Sequence, residues 1–211
     1  MQFIYPFIIS FMFIFLSELG DKTQILVLSF SARNKAKNIL LGVALGTLFS
    51  HGLAITFGTQ IATINNDNFI YYLKIFTYLT FCIFGIIGFC KSKKISSTGE
   101  NAEENSKSRI IKLLSSLTKN IVLVVAFSIA IGELGDKTFL ASMGLGLQYP
   151  LFKVPLICGS IFGMLASNSM AIFFGKWLGT KISVSTIELL SNIIFILFGL
   201  IGLLTSFLGT K

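Results

Sequence analysis

The chain has 211 residues, of which 54% are hydrophobic and only 12% charged, with a formal net charge of +8. A soluble domain averages about 25% charged residues, so lipid is the expected main solvent, and no stretch is left over for a soluble catalytic domain. The basic balance does not point to nucleic acid, because the positive residues are sorted by loop and not gathered on one element.

Six apolar stretches have the length of about 20 residues that a membrane helix needs: 3–30, 39–62, 69–90, 120–147, 152–177 and 187–208. The expected fold is all-α and polytopic, with six transmembrane helices. The first stretch opens MQFIYPFIIS, without the positive n-region of a signal peptide, and is expected to stay as a helix. Near its middle stands ELGDKT, Glu18 to Thr23. The second contains SHGLAITFG (Ser50–Gly58) and the third FGIIG (Phe84–Gly88). A polar segment, 91–118, follows as a cytosolic linker. Its end, with RIIKLLSSLTK (Arg109–Lys119), reads equally as an amphipathic surface helix or as an unstructured tether. The fourth stretch holds a second ELGDKT, Glu133 to Thr138, the fifth SNSMAIFFG (Ser167–Gly175) and the sixth FGLIG (Phe198–Gly202). The three cysteines, Cys82, Cys90 and Cys158, lack C-x-x-C spacing and read as packed thiols.

Three matches in the same order, at offsets of 115, 117 and 114, make a duplication. The units are a three-helix repeat over 1–90, the linker 91–118, and a second three-helix repeat over 119–211. An odd number of spans per repeat turns the second over in the membrane, the inverted arrangement of many secondary transporters. In this topology one side carries Arg33, Lys35, Lys37, Lys91, Lys93, Lys94, Lys107, Arg109, Lys112, Lys119, Lys176 and Lys181. The other carries only Lys74, Lys153 and Lys211. Positive residues mark the cytosolic side, which places both termini on the non-cytosolic side.

A charge at the centre of a membrane helix costs about 2.5–3.5 kcal/mol, and the two motifs hold six. The i, i+4 spacing of Glu18 with Lys22 and of Glu133 with Lys137 admits simple ion pairs, but these leave Asp21 and Asp136 unexplained. Two motifs meeting at mid-membrane sum to −2. The four carboxylates with the Thr23 and Thr138 hydroxyls offer oxygen alone, the ligand set of hard divalent cations. Gly20 and Gly135 permit local unwinding that frees backbone carbonyls. When the metal leaves, crowded carboxylates take up protons, so cation and proton are expected to exchange. In the second helix of each repeat Ser50 pairs with Ser167 and His51 with Asn168, as further residues along the ion pathway. His51 is open to two readings, a proton relay or a hydrogen-bonding role shared with Asn168.

The doubled E-x-G-D-K/R-T/S motif in a chain of this size resembles the Gdt-type manganese/calcium–proton exchanger family, over nearly all but the linker. The resemblance implies antiport that removes Mn²⁺, and in some members Ca²⁺, from the cytosol. It implies an ion site of Glu18, Asp21, Thr23, Glu133, Asp136 and Thr138, with Lys22 and Lys137 part of the motif and Ser50 and Ser167 like the family's second-helix serines. No enzyme activity and no cofactor are expected; the partners are the bilayer, divalent cations and protons. The start of the chain directly at helix one favours a bacterial plasma-membrane member. A divalent cation channel and a non-transporting membrane scaffold are the alternatives. An intramembrane aspartyl protease fits less well, since each Asp is followed by Lys and the two motifs are identical.

Overall fold

In a computed structural model of the chain, which describes residues 2–19, 21–31, 34–64, 67–92, 120–181 and 184–208, every regular element among the described residues is helical. The elements are α1 (Ile4–Ser17), α2 (Lys22–Ser31), α3 (Ala36–Ile61), α4 (Asp67–Ser92), α5 (Ile121–Glu133), α6 (Lys137–Gln148), α7 (Lys153–Lys181) and α8 (Val184–Leu208). A short 3₁₀ turn, Pro150–Phe152, joins α6 to α7. Residues 93–119, which take in all of the 91–118 linker but its first two residues and all of the Arg109–Lys119 segment, lie outside the described residues, as does Arg33.

Four segments are long and apolar enough to cross a membrane: Ala36–Ile61, Asn68–Cys90, Pro150–Phe173 and Leu189–Leu208. They coincide with four of the six expected stretches. The other two, 3–30 and 120–147, are not continuous helices. Each is divided at its ELGDKT motif, α1 from α2 and α5 from α6. The i, i+4 helical spacing expected for Glu18 with Lys22 and for Glu133 with Lys137 is therefore corrected: both motifs occupy a break between helices.

The break has a local cause. Past Glu133 the backbone turns extended at Leu134, and Gly135 follows with φ +80°, a left-handed conformation that glycine adopts without steric cost. The Asp136 amide instead bonds to Glu133 O at 3.1 Å, and the Asp21 amide to Glu18 O at 3.2 Å, so an equivalent hydrogen bond spans both copies. Asp136 then becomes the N-cap of α6, where a carboxylate faces the positive end of a helix. Gly20 itself lies outside the described residues. At the start of α5, Asn120 caps the helix by accepting a hydrogen bond from the Val122 amide at 3.0 Å.

Packing crosses between the halves of the sequence. α1 lies along α7, α3 along α5, α6 and α7, and α4 along α8. In lipid, helices associate mainly through close van der Waals approach at small residues. Gly42 and Gly46 bring α3 onto α5; Gly159 and Gly163, each 117 positions later, bring α7 onto α1. A methyl group at Gly46 would stand 2.6 Å from Ala126 O, and one at Gly163 2.6 Å from Phe11 O. Ser10 adds a polar tie to the α1–α7 contact, its Oγ 2.8 Å from both Leu156 O and Ser160 Oγ.

Large apolar side chains such as Phe49, Phe57, Phe76, Ile83 and Leu204 are exposed on the outer faces. That is the surface a bilayer covers. The interior is built from Ile14, Val43, Phe81, Ile129, Leu145, Met164 and Phe195 among others. Yet Glu18, Glu133, His51, Thr138, Ser142, Ser167 and Asn168 are equally buried, each with no exposed surface. This polar interior is where the motifs meet.

Candidate functional site

Glu18 caps the C-terminus of α1 and Glu133 is the last residue of α5. The carbonyl end of a helix carries partial negative charge, so each break presents a carboxylate together with a negative helix end. The fold brings the two ends together. One carboxylate oxygen from each of Glu18, Asp21 and Glu133 lies within 4.8 Å of the others. Ligand oxygens held about 2.1–2.5 Å from one divalent ion stand about 3–5 Å apart, so this spacing suits a single shared cation. Three carboxylates this close in apolar surroundings repel strongly unless a cation or protons offset their charge.

The two copies share further detail. Thr23 Oγ1 donates to Glu18 Oε2 at 3.1 Å, and Thr138 Oγ1 donates to Glu133 Oε2 at 3.0 Å. The threonines thus fix one oxygen of each glutamate across the turn. The other oxygen, Oε1 in both, is buried without a hydrogen-bond partner. So are Ser17 Oγ, His51 Nε2 and Asn168 Oδ1. A buried polar atom left unpaired costs about 1–3 kcal/mol, and the two free glutamate oxygens are the donor type a hard cation takes.

The remaining predicted residues fall in distinct places. Asp136, half-buried at the head of α6, stands outside the group of three carboxylates. Lys137 points to α8: its Nζ is 3.4 Å from Ser191 Oγ and lies 5.3 Å from the centre of the Phe195 ring. The side chain of Lys22 lies outside the described residues. Ser50 donates back to Gly46 O of its own helix at 3.1 Å. Ser167 is engaged by α2, where Gln24 Nε2 donates to its Oγ at 2.6 Å and to its carbonyl at 3.2 Å. His51 Nδ1 is 2.6 Å from Ser142 Oγ, and its Nε2 is 3.9 Å from Glu133 Oε2.

Gln24, Ser142 and Ser191 were not singled out by the motif pattern. Gln24 directly follows the first ELGDKT, where the second has Phe139, and that difference was a readable signal. Ser142 lies four residues after Thr138, on the same face of α6. Ser191, whose Oγ donates to Ser17 O at 3.0 Å, had no signal in its surroundings.

Broken helices and a buried carboxylate cluster, inside a molecule with four membrane-length helices, define a polytopic membrane protein built around a charged interior. Residues 6–96 and 121–209 match the family described as "Divalent cation/proton antiporter GDT1". The chain belongs to this family, as its motif resemblance implied. Among its relatives, a Vibrio cholerae protein provisionally named a manganese exporter is 28% identical over 193 residues, covering 91% of this chain and 87% of that one. The "GDT1-like protein sll0615" of Synechocystis is 26% identical over 202 residues, 93% and 95% of the two chains. The Saccharomyces cerevisiae "Divalent cation/proton antiporter GDT1" is 28% identical over 99 residues, 47% of this chain and 35% of the yeast protein. No solved structure matches the chain.

Proposed function

We propose that this protein is a secondary transporter that exports Mn²⁺, with Ca²⁺ as a second cargo, from the cytosol in exchange for protons, through one site built by both ELGDKT motifs. The observation that carries this reading is the convergence of Glu18 and Asp21 from one motif with Glu133 from the other. Neither motif alone supplies three carboxylates. The relative provisionally named a manganese exporter supports the choice of ion.

The chain forms two inverted repeats, 1–90 and 119–211, together contributing six membrane passes, two of them broken at the motifs. The exchanged packing supports this: α3 rests on α5 as α7 rests on α1, through glycines at equivalent positions. An inverted pair places its shared site near the midplane and lets the halves rock about it. Bound metal offsets the carboxylate charge on one side of the cycle, and protons offset it on the return. Two protons for one divalent ion keep the charge of the site constant while access changes. The positive-inside distribution orients the linker to the cytosol and the termini away from it. The relatives in Vibrio cholerae and Synechocystis support a bacterial plasma membrane as its location.

The test is purified protein in liposomes with an imposed pH gradient, assayed for Mn²⁺, Ca²⁺ and Mg²⁺ uptake side by side. Uptake of Mn²⁺ that follows the proton gradient and carries no net current is the expected result. Fast, electrogenic flux that persists after the gradient is collapsed would establish a channel instead.

A further inference from the structure

His51 is the only histidine in the chain, and its side chain is fully buried on α3. A neutral imidazole carries one donor and one acceptor nitrogen, so the two contacts of the ring decide what it offers. Nδ1, 2.6 Å from Ser142 Oγ on α6, is firmly tied. Nε2 has no hydrogen-bond partner, and its neighbour Glu133 Oε2 is 3.9 Å away. That separation is too long for a hydrogen bond, so a proton on Nε2 would be held by charge attraction alone, whereas a proton on Nδ1 makes a full hydrogen bond to Ser142 Oγ. With the proton on Nδ1 and donated to Ser142, the Nε2 lone pair is left open beside Glu133. Two acceptors facing each other at 3.9 Å are reconciled by a cation that both can bind, and the spacing lies within the about 3–5 Å between ligands of one ion. A histidine whose other nitrogen is anchored by a hydrogen bond is the usual form of a metal-ligating imidazole.

We propose that His51 Nε2 is a ligand for the transported cation, taken up together with Glu133, and that it biases the site toward Mn²⁺ over Ca²⁺ and Mg²⁺. This rests on the reading of the motifs as the cation site. His51 stands at the Glu133 edge of the cluster and is not one of the three groups that close within 4.8 Å. It therefore engages the ion on the α3–α5 side. Ca²⁺ and Mg²⁺ are bound through oxygen, whereas a nitrogen donor adds affinity along the transition-metal series. The matching position in the second repeat is Asn168. Its Nδ2 donates to Met164 O at 2.9 Å, and its Oδ1 is left without a partner. One repeat thus offers nitrogen and the other oxygen, so the discrimination comes from α3 alone.

A single histidine makes the test direct. Protein purified without a histidine tag is loaded with Mn²⁺ and examined by pulsed electron paramagnetic resonance for coupling to a directly bound ¹⁴N. The wild-type signal should show imidazole nitrogen on the metal. His51→Asn should lose it and lower the preference for Mn²⁺ over Ca²⁺ in competition binding by about tenfold. Mn²⁺ bound without nitrogen coupling in the wild type would overturn the ligand assignment, even if the variant fails to fold. An unchanged Mn²⁺/Ca²⁺ preference in a folded His51→Asn protein would overturn the selectivity role. Failure of the wild type to bind Mn²⁺ at all would overturn the cation-site reading, and this proposal with it.

Discussion

Glu18→Gln or Glu133→Gln, each alone, is expected to reduce proton-coupled Mn²⁺ flux in liposomes by more than about 100-fold, beyond the loss typical when a supporting group around a metal is removed. Gln keeps the volume and the capacity to accept from Thr23 or Thr138, so the turn and the packing survive. What disappears is one negative charge and one anionic oxygen from a group of three that close within 4.8 Å. Expression and membrane insertion should be near normal, or somewhat improved, because a buried charge has been removed. Asp136→Asn should have a smaller effect on ion binding, since Asp136 stands outside that group. A non-transporting scaffold would tolerate all three changes. Retention of full flux by either glutamate variant, with the protein correctly inserted, would rule out the shared site.

The second large effect falls on assembly. Gly46→Leu and Gly163→Leu should each prevent close docking of a long helix on the first helix of the other half. At both positions the first side-chain carbon would stand 2.6 Å from a backbone carbonyl, Ala126 O or Phe11 O, which cannot swing aside as a side chain would. Overpacking a tight contact costs about 1–3 kcal/mol and sometimes more, and here whole helices must separate. Thermal stability in detergent is the readout, with loss of monodisperse protein as the extreme. Gly52→Ala is the control, since the nearest atom to an added methyl group there is Leu48 Cδ1 at 3.8 Å. Equal tolerance at Gly46, Gly163 and Gly52 would contradict the exchanged packing of α3 on α5 and α7 on α1.

The apolar stretches and the duplicated motif were legible because both are one-dimensional signals: run length, and letters repeated at a constant offset. Four stretches appear as single helices within a few residues of their expected ends. Apolar length alone cannot distinguish one long helix from two short ones, so the division of the motif stretches is not visible in their hydropathy. Gly20 and Gly135 are the hint in the letters, and Gly135 does carry a positive φ, two residues past the end of α5. The proximity of Glu18, Asp21 and Glu133 follows in the sequence from internal symmetry alone. Its inequality was not legible: two identical hexapeptides place Asp21 inside the carboxylate group and Asp136 outside it. Lys137, by sequence an i, i+4 partner for Glu133, instead reaches Ser191 and Phe195 on α8, more than fifty residues away. The tie from Gln24 to Ser167 and that from Ser142 to His51 also join helices far apart in the chain. Such contacts are set by how helices pack, which local periodicity does not encode.

If both motifs build one shared site, and not two acting side by side, each chain binds one ion, and binding stoichiometry measures that number. Equilibrium dialysis of radioactive Mn²⁺ against purified wild type, Glu18→Gln and Glu133→Gln should find one ion per wild-type chain and loss of that ion in both variants. Two ions per wild-type chain, with one retained in each variant, would contradict it.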